Sequence, residues 1–508
     1  MIRKLDPTNG HVLGHFPITT PAEVDEAVAR AKRAFPAWSK SSLAERITIL
    51  EKLRPWIQSH GEDYAREISK DTGKPLADSL LTELMSIPLF IDYYAKTAAS
   101  VLDPRPVPGS IMFPGKRARV EQAPLGVVGI ISPWNFPFQL SVVPMISALL
   151  AGNTVILKPS ELTPLTGEVI RECFENIGLP AGVVQVIQGD GSTGAALANA
   201  DLQKIFFTGS LATGRKIMAA AAQKPIPVEL ELGGKDAMIV CDDANLARAA
   251  KGAAWGAFVN AGQMCVSVER LFVHAKVYDE FIALLQAEIE ALVVGGPDDY
   301  ADMGPLVSEA QLEIVERHVQ SAREEGATIR CGGARVERAG NFFAPTLITD
   351  VRPDMTIYRE ETFGPVLPVI RVQSDEEAVE LANGHIYGLN ASIWTRDIKK
   401  GSRLASQIEA GQVCVNDLVS SVGNPALPFG GFKGSGFGRY HGPEGLLAFS
   451  QPRAVVLDRG WLNAEPFWFP YEGKYPVMLD LFNNLLKRRL PLAVVALGRL
   501  QSLTMKKR

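Results

Sequence analysis

Val127-Val-Gly-Ile-Ile-Ser132, Thr154-Val-Ile-Leu-Lys158, Val183-Val-Gln-Val-Ile187 and Ile205-Phe-Phe207 are four short apolar runs that follow one another closely. Each is too short for a helix and has no polar alternation, which is how a strand covered on both faces reads. Helical patterns separate them: one ending at Leu150, one near 163–177, Ser192–Ala200, and Leu211–Ala222 after the last run. Gly189-Asp-Gly191 and Thr208-Gly-Ser210 supply turns. Strands alternating with helices predict βαβ units and a parallel sheet. Ligands of such sheets sit beyond the carboxyl ends of the strands.

The same region could be misread as a membrane span. Gln122–Leu157 carries no charge over 36 residues. Pro124, Pro133, Pro137 and Pro144 interrupt it, so it reads as strand, loop and helix buried in a globular body. On the amino-terminal side, Asn9-Gly10 marks a turn between short strands. Thr20, Pro21 and Glu23 open a helix with an apolar stripe of Val24, Ala27, Val28, Ala31 and Phe35. Two further helical patterns fill 42–100. On the carboxyl side, a second α/β pattern covers about 237–433, with strands at Val268–Val273 and Val366–Val372 and helices at Glu280–Val294 and Glu309–Gly326. Residues 460–476 are rich in aromatics and proline, with little secondary-structure signal.

The chain has 508 residues and a formal net charge of −4, with 46% hydrophobic and 21% charged residues. That is enough apolar material for two or three folded domains, and it excludes disorder as the main state. The slightly acidic balance argues against nucleic acid as a partner. Cys173, Cys241, Cys265, Cys331 and Cys414 are scattered, with no Cys-x-x-Cys pair or Cys/His cluster. No metal site is expected, and free thiols suit a reducing compartment. With no apolar segment at the amino terminus, a cytoplasmic location is expected. The average hides one asymmetry: residues from Leu481 on carry seven basic side chains (Lys487, Arg488, Arg489, Arg499, Lys506, Lys507 and Arg508) and no acid.

Several residues carry candidate chemistry. Cys265, in Asn260-Ala-Gly-Gln-Met-Cys265, is either a small buried hydrophobe or a nucleophile whose thiolate needs help to form. In Val228-Glu-Leu-Glu231-Leu-Gly-Gly-Lys235, alternation puts Glu229 and Glu231 on one face. A carboxyl at that strand end is a general base if desolvated, or a solvated strand end if not. Asn135, in Ser132-Pro-Trp-Asn135-Phe-Pro137, is either an oxyanion donor or a turn residue between prolines. Thr208-Gly-Ser-Leu-Ala-Thr-Gly214 lies between strand and helix, where free N–H groups at Gly209 and Ser210 suit a pyrophosphate, although it is no GxGxxG or P-loop. Lys158-Pro-Ser-Glu161 closes a buried strand and suits ribose hydroxyls, or is a surface loop with an incidental ion pair.

Taken in order, these elements resemble the aldehyde dehydrogenase superfamily over about residues 5–455. The resemblance rests on Pro133-Trp-Asn-Phe-Pro137, Lys158-Pro-Ser-Glu161, Phe207-Thr-Gly-Ser210, Leu230-Glu-Leu-Gly-Gly-Lys235, Gly262-Gln-Met-Cys265, Glu361-Thr-Phe-Gly-Pro365 and Pro428-Phe-Gly-Gly-Phe-Lys-Gly-Ser-Gly436. It implies an α/β chain with a Rossmann-like NAD(P) domain (1–101 and 125–236), an α/β catalytic domain (237–433) and a bridging, oligomerising hairpin (102–124 and 434–458). Residues 459–508 extend beyond these. It implies Cys265 as nucleophile, Glu231 as general base, and Asn135 with the Cys265 N–H as oxyanion hole. It implies Trp134, Lys158, Glu161, Gly209, Ser210, Glu361 and Phe363 around the cofactor.

From this resemblance the expected reaction is oxidation of an aldehyde to the acid through a Cys265 thioester. The expected cofactor is NAD, with NADP as the alternative, because Glu161 suits a ribose hydroxyl while Lys158 beside it accepts a phosphate. Phe136, Phe138, Met264, Val266, Leu418 and Val419 match the family's substrate tunnel and are apolar, so an aliphatic or aromatic aldehyde is expected over a semialdehyde acid. A non-catalytic relative would lack Cys265 or Glu231. The chain is expected to form a homo-oligomer. The tail is loosely similar to the fatty-aldehyde branch. It is expected either to pack on protein or to rest on an anionic membrane, its apolar run Leu490–Gly498 being too short to span.

Overall fold

Two sheets position everything that follows. The computed structural model describes residues 1–505; Lys506, Lys507 and Arg508 of the basic tail lie outside the described residues. A six-stranded sheet has the order Gly436–Phe437, Val228–Glu231, Lys204–Thr208, Val127–Ile131, Thr154–Lys158, Val184–Val186. All its neighbours run parallel except Gly436–Phe437, which pairs antiparallel with Val228–Glu231 at the edge. The helices Gln139–Leu150, Pro164–Asn176, Gly191–Asn199 and Leu211–Ala222 alternate with the strands. The uncharged stretch thus forms a strand, a buried helix and a second strand, every residue of which is buried.

The second sheet has seven strands in the order Thr328–Cys331, Thr346–Thr349, Val366–Val372, Val268–His274, Asp236–Val240, Asn390–Trp394, Gln412–Val415. It is parallel apart from its first pair. Helices Leu246–Phe258, Tyr278–Glu290 and Glu309–Glu324 close its core around Phe272, Phe281, Leu285 and Val315. The opening helix, Pro21–Trp38, starts with a reciprocal cap in which Thr20 and Glu23 satisfy each other's backbone N–H groups.

The chain divides into two compact units. One comprises Met1–Val101 and Pro124–Gln451, and holds both large sheets. The other comprises Leu102–Ala123 and the described residues from Pro452 on. Residues 434–451, expected with the bridging hairpin, therefore belong to the first unit. The reason is local: Gly436 and Phe437 pair with Glu231 and Leu230, and Phe449 accepts a hydrogen bond from the Asn153 amide at 2.7 Å.

Arg105–Val107, Arg117–Pro124 and Ser450–Leu457 form a three-stranded sheet, all of which except Pro124, Ser450 and Gln451 belongs to the second unit. The tail folds into two helices, Tyr475–Leu486 and Leu490–Met505, which bury Leu481, Ala493, Ala496, Leu497 and Leu500 against each other and against Met112 and Phe467. No helix among the described residues is long and apolar enough to cross a membrane.

Candidate active site

The carboxyl ends of three strands, Val127–Ile131, Lys204–Thr208 and Val228–Glu231, meet at one cavity. Val127–Ile131 lies between Thr154–Lys158 on one side and Lys204–Thr208 on the other, so the winding of the sheet reverses there. A crevice at such a reversal is where doubly wound sheets bind ligands. Here it holds a cavity of about 310 Å³ lined by Trp134, Asn135, Gly209, Ser210, Glu231, Cys265, Glu361 and Phe363. Leu140, Leu232 and Ile314 supply apolar wall, and no Lys, Arg or His contributes.

Cys265 follows a strained approach. Asn260, Ala261 and Gly262 have φ of 52°, 56° and 70°, a left-handed run that costs energy at the first two positions. The Asn260 side chain holds the run in place, donating to the carbonyls of Asn135 at 3.0 Å and Gln263 at 3.1 Å. Gly234 passes so close that a Cβ there would overlap the Cys265 carbonyl. Burial pushes the Cys265 thiol up, and the charges of Asp236, Glu231 and Glu361 push it further.

Glu231 is fully buried, and neither carboxyl oxygen has a hydrogen-bond partner. Burial raises it well above the usual carboxylate range, Glu229 adds to the effect, and Arg439 opposes it. Glu229 is itself held by Lys204 at 2.7 Å. Of the two acids on this face, Glu229 is paired with a lysine and Glu231 has no hydrogen-bond partner. A Cβ at Gly430 would come within 2.5 Å of the Gly438 carbonyl and within 2.9 Å of Glu231 Oε1.

Glu361 accepts a hydrogen bond from the Gly234 N–H at 2.8 Å, and burial with the charge of Glu269 lifts its carboxyl to about 8. The Phe363 ring meets Trp134 edge-on at 5.4 Å. Two residues without a role in the sequence reading fix this segment. Glu269 accepts from the N–H groups of Thr362 at 2.8 Å and Phe363 at 2.9 Å, and pairs with Lys235 at 2.6 Å. An available signal was the adjacent pair Glu269-Arg270 inside an otherwise apolar, wholly buried strand.

Lys158 and Glu161 form an ion pair at 2.9 Å just past a strand end, outside the cavity lining. Ser210 caps the helix Leu211–Ala222, accepting from the Thr213 N–H at 3.3 Å. Gly209 is required because a Cβ would come within 2.6 Å of the Phe207 ring.

The proposed tunnel residues do not gather at this cavity. Phe138 is wholly buried, and its N–H donates to Glu83 at 3.1 Å. The Lys74 ammonium stands over the Phe136 ring, 4.5 Å from its centre. Met264 and Val266 are buried. Leu418 and Val419 line a separate groove with Trp255 and Trp394.

A half-buried thiol and a buried carboxyl thus share one cavity at the reversal point of a doubly wound α/β sheet. The chain belongs to the aldehyde dehydrogenase family, whose model matches residues 1–455. It is 46% identical over 473 residues to the 4,4'-diapolycopene aldehyde oxidase of Methylomonas sp., covering 93% of this chain and 88% of that protein. It superposes on the Mycobacterium tuberculosis aldehyde dehydrogenase complexed with NAD+ with a TM-score of 0.87 at 37% identity, covering 91% of this chain and 95% of that one. An E. coli NADP dependent enzyme matches with a TM-score of 0.86 at 36% identity, over 90% of this chain and 94% of that one.

Proposed function

We propose that this chain oxidises a large apolar aldehyde to its carboxylic acid with reduction of NAD(P), through a thioester on Cys265. One observation carries the reading: Cys265, Glu231 and Asn135 face a single cavity together with Glu361, Phe363 and Ser210. Cys265 gives up its proton to solvent and the thiolate sulfur adds to the carbonyl carbon, which leaves the Glu231 carboxylate free for the hydrolytic water. The amide of Asn135 and the N–H of Cys265 hold the resulting oxyanion. Bound NAD(P) supplies the hydride acceptor. The thioester left on Cys265 is attacked by a water whose proton goes to Glu231, and the acid departs as the sulfur regains its resting form.

The donor set suits a dinucleotide. The N-terminus of the helix Leu211–Ala222 opens on the cavity and offers N–H groups to a pyrophosphate. Lys158 and Glu161 suit the adenosine ribose, and the Glu161 carboxylate disfavours a 2′-phosphate, so NAD is the preferred form. Glu161→Gln is expected to move the NADP/NAD ratio of kcat/KM upward by roughly tenfold. An unchanged ratio would count against this assignment.

The cavity wall supports an apolar substrate, because no cation lines it to meet a substrate carboxylate. Arg270, the nearest arginine in sequence, is spent on the carbonyls of Lys235, Leu381 and Ala382. A relative named for a 4,4'-diapolycopene aldehyde fits the same class. The test is reduced-nicotinamide absorbance with a chain-length series of aldehydes, with and without coenzyme A. The reading requires higher kcat/KM for long apolar aldehydes than for succinate semialdehyde, and free acid as product. Mainly acyl-CoA, or a preference for the semialdehyde acid, contradicts it.

The second unit supports two contacts. The edge strand Arg105–Val107 is exposed throughout, which suits pairing with another subunit. The outer faces of the tail helices expose Phe482, Leu486, Leu490 and Val494 beside Lys487, Arg488 and Arg489. An apolar face ringed by cations matches an anionic bilayer surface, and two such faces would repel one another. Full-length protein is expected to float with phosphatidylglycerol-containing vesicles and to sediment with pure phosphatidylcholine. Equal behaviour with both would refute the membrane reading.

A further inference from the structure

Behind the Asn135 loop lies an ion pair that the reaction above does not use. Lys74 and Glu83 pair at 2.7 Å with both side chains wholly excluded from solvent. Glu83 belongs to a π-helical turn, Ser79–Leu84, a local distortion found mostly at functional places. Burying two charges costs more than an apolar pair of the same volume, so stability alone does not account for them.

Their remaining hydrogen bonds go to one segment. The Lys74 ammonium donates to the Asn135 carbonyl at 2.8 Å. The second Glu83 oxygen accepts from the N–H groups of Phe138 at 3.1 Å and Gln139 at 2.9 Å. The Asn135 carbonyl takes a second donor, the Asn260 amide, from the strained run that leads to Cys265. The loop is thus gripped at both ends by one charged pair, and tied to the approach to the nucleophile by Asn260. A neutral donor would hold the same carbonyl more weakly, because charge-assisted hydrogen bonds are shorter and stronger.

We infer that Lys74 and Glu83 are positioning residues that set the Asn135 amide against the oxyanion formed at Cys265. This rests on the assignment of Asn135 as an oxyanion donor. An amide displaced by even an ångström forfeits most of its effect on a developing charge.

The experiment compares four forms of the full chain: wild type, Lys74→Met/Glu83→Gln, Asn135→Ala and the triple variant. The paired change strands neither charge, and Glu83→Gln alone serves if the paired variant does not fold. Rates are expressed per folded chain, taken from the monodisperse gel-filtration peak with native circular dichroism, which removes any effect of a smaller folded fraction. The paired variant is expected to lose about 10- to 100-fold in kcat/KM for the aldehyde, with KM for NAD within about twofold of wild type. The triple variant is expected to be no slower than Asn135→Ala, because the pair acts only through that amide. Lys74→Arg should restore part of the loss.

Two results overturn the inference: an unchanged per-site rate with only a lowered Tm, or losses that multiply in the triple variant. If Asn135→Ala alone leaves kcat/KM intact, the oxyanion assignment fails, and this inference falls with it.

Discussion

Cys265 and Glu231 face one cavity, and the charge of Glu231 is among those that keep the Cys265 thiol protonated. Nucleophile and base therefore oppose each other's ionisation. Neither is active in the form that a buried carboxyl-rich pocket favours at neutral pH.

This opposition predicts alkaline activation. Thiolate and ionised Glu231 both become more populated as pH rises, because burial has pushed both groups up. Alkylation of Cys265 by iodoacetamide and kcat/KM are each expected to climb between about pH 6 and about pH 9. A flat or falling profile over that range would contradict the account.

Glu231 should also cost stability. An unfolded-chain carboxyl ionises near 4.5, whereas folded Glu231 holds its proton to higher pH. Below the lower value both states are protonated and nothing is lost. Above it the unfolded state gives up a proton that the folded state keeps, so folding weakens until the folded group ionises too. Glu231→Gln cannot ionise. Its Tm advantage over wild type is expected to be negligible near pH 4 and to grow toward alkaline pH. An advantage independent of pH would show that the carboxyl is not desolvated.

Glu269 should be structural and cofactor-linked at once. It neutralises Lys235 and holds the N–H groups of Thr362 and Phe363. Glu269→Ala leaves a buried ammonium unpaired, which costs about 3–5 kcal/mol. Denaturant melts should register that loss, and KM for NAD should rise as Phe363 shifts against Trp134. A variant with wild-type KM for NAD would separate Glu269 from the cofactor.

The first sheet was legible because its strands are covered on both faces and alternate with helical patterns. Thr154–Lys158 and Leu211–Ala222 have the boundaries that the apolar run and the turn at Thr208-Gly-Ser210 announce. Cys265, Glu231 and Asn135 were legible as candidates because each stands in a run of apolar or glycine neighbours where its polarity is unexplained. What the sequence conceals is contact between distant segments. Nothing near Lys74 announces that its ammonium will reach the Asn135 carbonyl, 61 residues on. Nothing in Gly436-Phe437 announces an edge strand beside Leu230. The tunnel residues were named from the family resemblance alone, and none of them lines the cavity that holds Cys265.

The central claim is that Cys265 carries an acyl group which Glu231 releases. Glu231→Gln, mixed with excess long-chain aldehyde and NAD, tests it most directly by intact mass and reduced-nicotinamide absorbance. The account predicts a burst of about one NADH per chain, then slow turnover, with the mass of the acyl group found on the Cys265 peptide. Wild-type turnover with no adduct at Cys265 would contradict it.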